Sequence, residues 1–138
     1  EQADFIFLGP GDLFTSIIPN LIVPGVREAL RKTPAKIYYI INIMTKYGET
    51  QNFEGKDFVI KLEEHLGRTV DGVIANSTKP SDRILSTYSK QKSDFVWVDT
   101  THPFWDNREI LLMDILDENA EIVRHDPGKL AAIIQDII

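Results

Sequence analysis

The segment that follows the first apolar run has residue types that could bind a phosphate group. It reads Gly9-Pro10-Gly11-Asp12-Leu13-Phe14-Thr15-Ser16. Glycines let the backbone approach a ligand closely, a helix beginning here would direct free N–H groups at an anion, and Thr15 and Ser16 would add hydroxyls. A tight turn with Asp12 as a helix cap is the alternative. The segment matches neither a Walker loop nor a GxGxxG fingerprint.

A second candidate segment runs from Asn42 to Thr50. Asn42 ends an apolar run and offers both a donor and an acceptor. Thr45, Lys46 and Thr50 could meet a phosphate or a sugar. A solvated loop whose polar side chains bond to their own backbone is the alternative. The length of the segment favours a functional loop.

Asn76, Tyr88 and Arg124 are further candidates. Asn76 precedes two hydroxyl residues and could contact a base or a ribose, although an Asx turn also explains this pattern. Tyr88, near the end of a helical segment, could stack on a ligand or pack in the core. Arg124 could make a bidentate phosphate contact or could pair with Asp126, which is also placed to cap the last helix.

The sequence contains no standard catalytic set. His65, His102 and His125 lie far apart, and none has a metal-ligand spacing. The run from Asp99 to His102 could be a metal or acid–base cluster, but a polar turn after a strand explains it equally well. We therefore predict no catalytic residue and no metal site built by the protein.

The elements that must position these residues alternate between strand and helix. Short apolar runs separated by segments of helical periodicity predict an α/β fold with a mostly parallel sheet. Strands are predicted at residues 4–8, 36–42, 70–76 and 95–99, with edge strands at 110–115 and 120–123. Helices are predicted from Pro24 to about residue 33, before Gly67, from Ser81 to about Gln91, and after Asp126, with a loop at residues 44–55. Ligands in such sheets bind beyond the carboxyl ends of the strands, which is where the candidate segments fall.

The composition restricts the class of protein. A chain of 138 residues with 43% hydrophobic residues predicts one globular domain. A net charge of −6 disfavours loose binding to nucleic acid or to an anionic membrane, and the absence of cysteine excludes disulfides and thiolate sites. The apolar runs are too short to cross a bilayer. These features predict a soluble, cytoplasmic protein.

Three segments resemble motifs of one protein family. Residues 3–25 are similar to "AD.IVLGPGSLYTSIIPNLLVPGI" of the gluconeogenesis factor (YvcK) family. Residues 42–50 look like that family's "NLMTQPGET", and residues 124–131 look like its "RHD..KLA". The resemblance is collinear and spans nearly the whole chain. Asp12 stands where the family motif has serine, and Lys46-Tyr47 stands where it has Gln-Pro.

The resemblance implies a fold, a ligand and a biological role. The family belongs with the 2-phospho-L-lactate transferase (CofD) superfamily, which implies a Rossmann-like, three-layer α/β fold. Its YvcK branch binds UDP-sugars, notably UDP-N-acetylglucosamine, and supports gluconeogenic growth and cell shape without an established reaction. The residues implied for UDP-sugar binding fall at Tyr88, expected to pack on the nucleotide or sugar, and at Arg124, expected to contact the diphosphate.

Two other functions remain open. The first is a CofD-like transferase that uses a nucleoside-diphosphate-activated donor, with a metal held by Asp12 or Asp99. The transferase branch carries "GPSNP" at residues 9–13, which favours the YvcK branch for this chain. The second is a domain without a ligand of its own that acts through its surface.

The resemblance also implies a position within a larger domain. Members of the family begin with a glycine-rich "GGGTG" segment expected to hold the diphosphate, and residues 1–138 do not contain it. An apolar strand at residues 4–8 opens the chain directly. We expect a single α/β domain over residues 1–138 that forms the C-terminal portion of a larger CofD-like domain.

The expected partner is a UDP-sugar or related nucleotide, accompanied by Mg²⁺ if the diphosphate carries a metal, and a homo-oligomer is also expected. No nucleic acid and no membrane span are expected. The residues predicted to bind the ligand are Gly9, Pro10, Gly11, Asp12, Thr15, Ser16, Asn20, Asn42, Thr45, Asn76, Tyr88 and Arg124.

Overall fold

A computed structural model describes residues 2–138, which form four β-strands and five α-helices. The strands are β1 (Phe5–Leu8), β2 (Lys36–Ile40), β3 (Gly72–Asn76) and β4 (Glu109–Met113). The helices are α1 (Ile18–Leu21), α2 (Val26–Lys32), α3 (Gly55–Leu66), α4 (Asp82–Lys90) and α5 (Pro127–Ile137). A π-helical turn over Leu13–Ile17 precedes α1, and a 3₁₀ turn covers Pro103–Trp105. None of the helices among residues 2–138 has the length and apolar character that a membrane crossing requires.

The four strands form one sheet in the order β1-β2-β3-β4, and all three pairings are parallel. Successive residues of a strand point to opposite faces, so Ile37 and Tyr39 pack on one face with α1 to α3, while Ile40 packs on the other with α5. The sheet is therefore covered on both faces, which explains why β2 and β3 are almost entirely buried. This arrangement confirms the predicted three-layer α/β fold.

Tyr38, the middle residue of β2, packs between the neighbouring strands β1 and β3. Its ring stacks on Phe7 at a centroid distance of 5.6 Å, and a Cβ added to Gly72 would lie 2.3 Å from it. Its hydroxyl donates a hydrogen bond to Glu109. Burial, followed by this hydrogen bond, raises the pKa of Tyr38 to about 12. Gly72 therefore provides the space that the Tyr38 ring occupies.

Two predicted strands are absent from the structure. Residues 95–99 form no strand, and Phe95 pairs only through an isolated antiparallel bridge with Met44. The place beside β3 is taken by β4. The run from Phe95 to Asp99 instead contacts the segment after β2, where the Val96 N–H donates to the Ile43 carbonyl. Residues 120–123 likewise form no strand, and the nearest pairing is a bridge between Leu116 and His125. The predicted edge strand at residues 110–115 is confirmed as β4.

The first crossover also differs from its prediction. The expected helix from Pro24 begins only at Val26, because Gly25 is the N-cap and adopts a left-handed conformation with φ of 87°. The Gly25 N–H donates to the Glu28 carboxylate and closes this helix start. The predicted loop at residues 44–55 ends at Glu54, since Gly55 is already helical. The other predicted helices are confirmed, with Gly67 ending α3 and Asp126 capping α5.

Candidate functional site

A cleft of about 460 Å³ lies beyond the carboxyl ends of β1 and β2. This volume is within the usual range for a small-molecule site. The cleft is built by the segments that leave these strands, by the last turn of α4 and by the segment before α5. Its lining residues are Pro10, Gly11, Asp12, Asn42, Ile43, Met44, Thr45, Lys46, Tyr88, Gln91, Ser93, Val123, Arg124 and His125.

Gly9 turns the chain into the cleft from the end of β1. Its φ is +98°, and a Cβ at this position would lie 2.9 Å from the Ile40 carbonyl oxygen. Only glycine adopts this conformation without strain while allowing the two backbones to approach so closely. Gly9 thereby positions Pro10, Gly11 and Asp12 along the cleft without lining it.

The segment after Asp12 does not supply the predicted hydroxyls to the cleft. The Asp12 carbonyl accepts hydrogen bonds from the Ser16 and Ile17 N–H groups, at 2.8 and 3.1 Å, which closes the π-helical turn. Thr15 and Ser16 are exposed and do not line the cleft. Asn20 also lies outside it and donates to the Ser16 carbonyl at 2.6 Å. The side chain of this segment that faces the cleft is the Asp12 carboxylate.

Asp12 forms an ion pair with a residue 34 positions further along the chain. The Lys46 ammonium lies 2.8 Å from Asp12 Oδ2 and 2.9 Å from Glu49 Oε1. Asn42 Nδ2 donates to Asp12 Oδ1 at 3.3 Å. The hydrogen bond to Asp12, and then that to Glu49, raises the pKa of Lys46. The two departures from the family motif, at Asp12 and at Lys46, are therefore partners in one contact.

Thr45 lines the cleft, but its hydroxyl and its N–H are both hydrogen-bonded to the backbone of Asp94. It is buried, its hydroxyl accepts from the Asp94 N–H at 2.8 Å, and its own N–H donates to the Asp94 carbonyl at 2.8 Å. These bonds hold residues 93–96 against the end of β2 and bring Ser93 into the wall. Thr45 therefore shapes the cleft, while Asn42 presents polar atoms to it.

Tyr88 and Arg124 form the wall of the cleft that comes from the last turn of α4 and the segment before α5. The Tyr88 hydroxyl accepts a hydrogen bond from the Val123 N–H at 3.0 Å, so the tyrosine fixes the backbone next to Arg124. Arg124 is exposed and forms no ion pair within residues 2–138. The alternative pairing with Asp126 is not observed, because that carboxylate accepts from the Gly128 and Lys129 N–H groups at the start of α5. The Arg124 guanidinium is thus available to an anion.

His125 completes this wall as a neutral side chain. Its Nε2 lies 3.1 Å from the Ile41 carbonyl oxygen, which makes Nε2 the donor and Nδ1 an acceptor. Burial lowers the pKa of His125, since an imidazolium would lose its hydration. The charged side chains that line the cleft are therefore Asp12, Lys46 and Arg124, and the charge of Lys46 is compensated by Asp12 and by Glu49.

Asn76 lies outside the cleft and has a structural role. Its Nδ2 donates to the Thr78 carbonyl at 2.6 Å, and its Oδ1 accepts from the N–H groups of Thr78 and Ile115. This is the Asx turn considered as the alternative, with an added bond to the segment after β4. Asn76 is buried by these contacts and presents nothing to a ligand in the cleft.

The remaining polar candidates also have structural explanations. His65 Nδ1 lies 2.9 Å from the Lys61 carbonyl oxygen one helical turn earlier. Asp99 accepts from the N–H and the hydroxyl of Thr101, which lowers its pKa, and His102 accepts from the Phe104 N–H. No group of three His, Asp or Glu side chains among residues 2–138 could hold a metal ion.

A second cavity, of about 500 Å³, lies between β1 and α2. Its wall includes the apolar side chains of Ile6, Ala29 and Leu30. Glu28, Lys32 and Thr33 also line it, but the Glu28 carboxylate accepts from the Gly25 N–H and the Thr33 hydroxyl accepts from the Ala35 N–H. This cavity lacks the convergent polar groups of the first cleft, so the cleft at the carboxyl ends of the strands is the better candidate site.

The predicted residues divide into two groups. Seven line the cleft, namely Pro10, Gly11, Asp12, Asn42, Thr45, Tyr88 and Arg124, and five do not, namely Gly9, Thr15, Ser16, Asn20 and Asn76. Sequence reasoning left out Gln91 and Ser93, which follow Tyr88 and carry no local motif. Lys46 is a candidate phosphate or sugar contact in the sequence but is absent from the predicted set, and His125 is not predicted to bind a ligand, although both lie inside the quoted motifs.

Comparison with known proteins adds to this geometry. The family model described as 2-phospho-L-lactate transferase CofD matches residues 1–119. A Thermotoga maritima protein, whose name assigns it provisionally to the gluconeogenesis factors, is 42% identical over 147 residues, covering 99% of this chain and 45% of that protein. The protein named gluconeogenesis factor of Bacillus subtilis is 36% identical over 139 residues, covering 100% of this chain and 44% of its own length.

The fold has a counterpart among solved structures. The crystal structure of a Bacillus halodurans protein described as a member of the upf0052 family superposes with a TM-score of 0.89 and 32% sequence identity. The match covers 97% of this chain and 43% of the other. The chain thus spans less than half the length of each of these relatives.

Proposed function

This chain belongs to the CofD family, and we propose that it binds a nucleotide sugar of the UDP type in the cleft beyond β1 and β2, with UDP-N-acetylglucosamine as the preferred ligand. The family model and the gluconeogenesis-factor relatives support membership of the family. The cleft contains the side chains that could bind the ligand. The observation that carries the proposal is an arginine without an ion-pair partner in residues 2–138, Arg124, on the wall of a cleft of suitable volume.

Arg124 suits a diphosphate because its planar guanidinium makes two parallel hydrogen bonds to phosphate oxygens. Its backbone is held on one side by the Tyr88 hydroxyl and on the other by the capped start of α5. A guanidinium on a fixed backbone loses less conformational entropy when a ligand binds. We assign the diphosphate to Arg124 and packing on the nucleotide or sugar to the Tyr88 ring.

The proposal is for binding rather than for a reaction. Three lining residues carry hydroxyls, namely Thr45, Tyr88 and Ser93, and those of Thr45 and Tyr88 are hydrogen-bonded to Asp94 and Val123. The lining imidazole of His125 is hydrogen-bonded to Ile41, and within residues 2–138 no hydrogen bond joins it to any of these hydroxyls as a nucleophile and base pair would require. As the relatives' name suggests, we propose that the binding serves the regulation of gluconeogenic carbon metabolism. We also propose that it supports normal cell shape and that the protein is cytoplasmic and self-associates.

A metal-dependent transferase finds less support in the residues present. The Asp12 carboxylate is engaged by Lys46 and Asn42, and Asp99 is engaged by Thr101. Neither aspartate belongs to a cluster that could hold a metal within residues 2–138. We therefore propose that any Mg²⁺ enters with the diphosphate as its counterion.

Isothermal titration calorimetry with UDP-N-acetylglucosamine tests the proposal. The protein is expressed at its full encoded length, as wild type and as Arg124→Ala, with Arg31→Ala on α2 outside the cleft as the matched control. We expect Arg124→Ala to weaken binding by about 10- to 100-fold, because a charged hydrogen-bonding partner is lost, and Arg31→Ala to leave it unchanged. Equal affinity in wild type and Arg124→Ala would refute the role of Arg124.

A further inference from the structure

We infer that Asp12 is a specificity-determining residue, which selects a hydroxyl-bearing group over a terminal phosphate on its wall of the cleft. The inference rests on the proposed nucleotide-sugar binding and assigns an orientation to the ligand. The diphosphate faces Arg124, and the sugar faces Asp12 and Asn42.

The charges on the Asp12 wall disfavour an additional anion. Lys46 lies between Asp12 and Glu49, at 2.8 and 2.9 Å, so its positive charge is compensated by two carboxylates. The three groups together carry one net negative charge. A phosphate that approached them would be repelled, whereas at Arg124 it would meet a cation without an ion-pair partner among residues 2–138.

The free hydrogen-bond acceptors of Asp12 and Asn42 also favour a hydroxyl over a phosphate. A carboxylate only accepts hydrogen bonds and has about four lone-pair positions, of which Asp12 uses one for Lys46 and one for Asn42. Asn42 Oδ1 accepts no hydrogen bond from residues 2–138, and it sits at a half-buried position. An ionised phosphate has no proton to donate to either oxygen. A sugar hydroxyl has one, and it can also accept from the Lys46 ammonium.

The two sets of lining side chains therefore suit different chemical groups. Asp12 and Asn42 come from the ends of β1 and β2, and Arg124 comes from the segment before α5, yet all three line one cleft. A ligand with a phosphate at one end and hydroxyls at the other satisfies both walls at once. In the inferred orientation, a nucleoside triphosphate would bring a further phosphate towards Asp12, so we expect it to bind more weakly than the nucleotide sugar.

A comparison of the affinities for UDP-N-acetylglucosamine and for UTP tests this inference. Both affinities are measured by calorimetry on the full-length protein as wild type, Asp12→Asn and Asp12→Ser. We expect wild type to favour the nucleotide sugar, and both variants to shift the ratio of the two affinities towards UTP by about tenfold. Asp82→Asn is the matched control, because it removes the same charge from an exposed position outside the cleft, and it should shift the ratio less than about twofold.

The outcomes separate the two claims. If wild type binds both ligands but Asp12→Asn and Asp12→Ser change both affinities equally, the assignment of Asp12 is wrong and the proposed function stands. A shift in Asp82→Asn as large as that in Asp12→Asn would also overturn the assignment, since net charge would then explain the effect. If wild type binds neither ligand, the proposed function and the inference fail together.

Discussion

The Tyr88 hydroxyl accepts a hydrogen bond from the Val123 N–H at 3.0 Å, which ties the last turn of α4 to the residue before Arg124. Tyr88 thus contributes to the cleft in two ways. Its ring forms part of the wall, and its hydroxyl positions the arginine proposed to hold the diphosphate.

Removing the Tyr88 hydroxyl should loosen the Arg124 segment. Tyr88→Phe keeps the ring but leaves the Val123 N–H without its partner, so we expect a loss of about 1 kcal/mol in local stability and weaker binding of UDP-N-acetylglucosamine. Hydrogen exchange of the Val123 amide should accelerate. The exposed Tyr47→Phe is the matched control. Unchanged exchange at Val123 in Tyr88→Phe would show that the hydrogen bond does not fix the segment.

The cap of α5 supports the same segment from its other side. Asp126 accepts from Gly128 and Lys129 N–H groups at 2.8 and 2.9 Å, so Asp126→Ala should lower the free energy of unfolding by about 1 kcal/mol. Urea unfolding measures this loss. Asp136→Ala, in the last turn of the same helix, removes the same charge without removing a cap and should cost less. Equal losses in the two variants would contradict the capping role.

Gly72 should tolerate no side chain while Tyr38 is present. A Cβ at residue 72 would lie 2.3 Å from the Tyr38 ring, so Gly72→Ala should lower the free energy of unfolding by about 2 kcal/mol. Adding Tyr38→Leu to Gly72→Ala should make the two effects less than additive, because the clash is then relieved. If urea unfolding showed that the losses of stability in the two single variants add fully in the double variant, the clash with Tyr38 would not be the cause of the loss in Gly72→Ala.

His125 should make stability depend on pH. Burial lowers its pKa in the folded protein below the ordinary value of 6.5, so the unfolded chain takes up a proton first as the pH falls. The contribution of His125 to stability is complete above that value and is lost as the pH falls through the lowered pKa. From about pH 7.5 to about pH 5.5, wild type should therefore lose more stability than His125→Gln. Parallel losses for the two proteins would contradict a buried, neutral histidine.

Much of the fold could be predicted from local pattern. The apolar runs at residues 36–42 and 70–76 correspond to β2 and β3, which are buried on both faces as parallel strands usually are. Asp126 and Pro127 mark the start of α5, because a capping side chain and a proline suit the first helical positions. These signals are local, so the sequence displays them directly.

The errors in the predicted structure arise where contacts between distant segments decide the local conformation. Residues 95–99 have the apolar character of a strand, but β4 takes the place beside β3, and Thr45 instead holds this segment through its hydrogen bonds to Asp94. The same limit applies to the cleft. The predicted anion loop placed hydroxyls at Thr15 and Ser16, whereas the π-helical turn exposes them and presents Asp12. The contact of Asp12 with Lys46 spans 34 positions, and no local pattern could indicate it.

The most direct test of a diphosphate site at Arg124 is a phosphate series. Affinities for uridine, UMP and UDP are measured by calorimetry on the full-length protein as wild type and as Arg124→Ala. We predict that affinity rises with each phosphate in wild type and that this rise is largely lost in Arg124→Ala, while uridine binds both proteins equally. The same rise in both proteins would contradict the account, because the phosphates would then be held elsewhere.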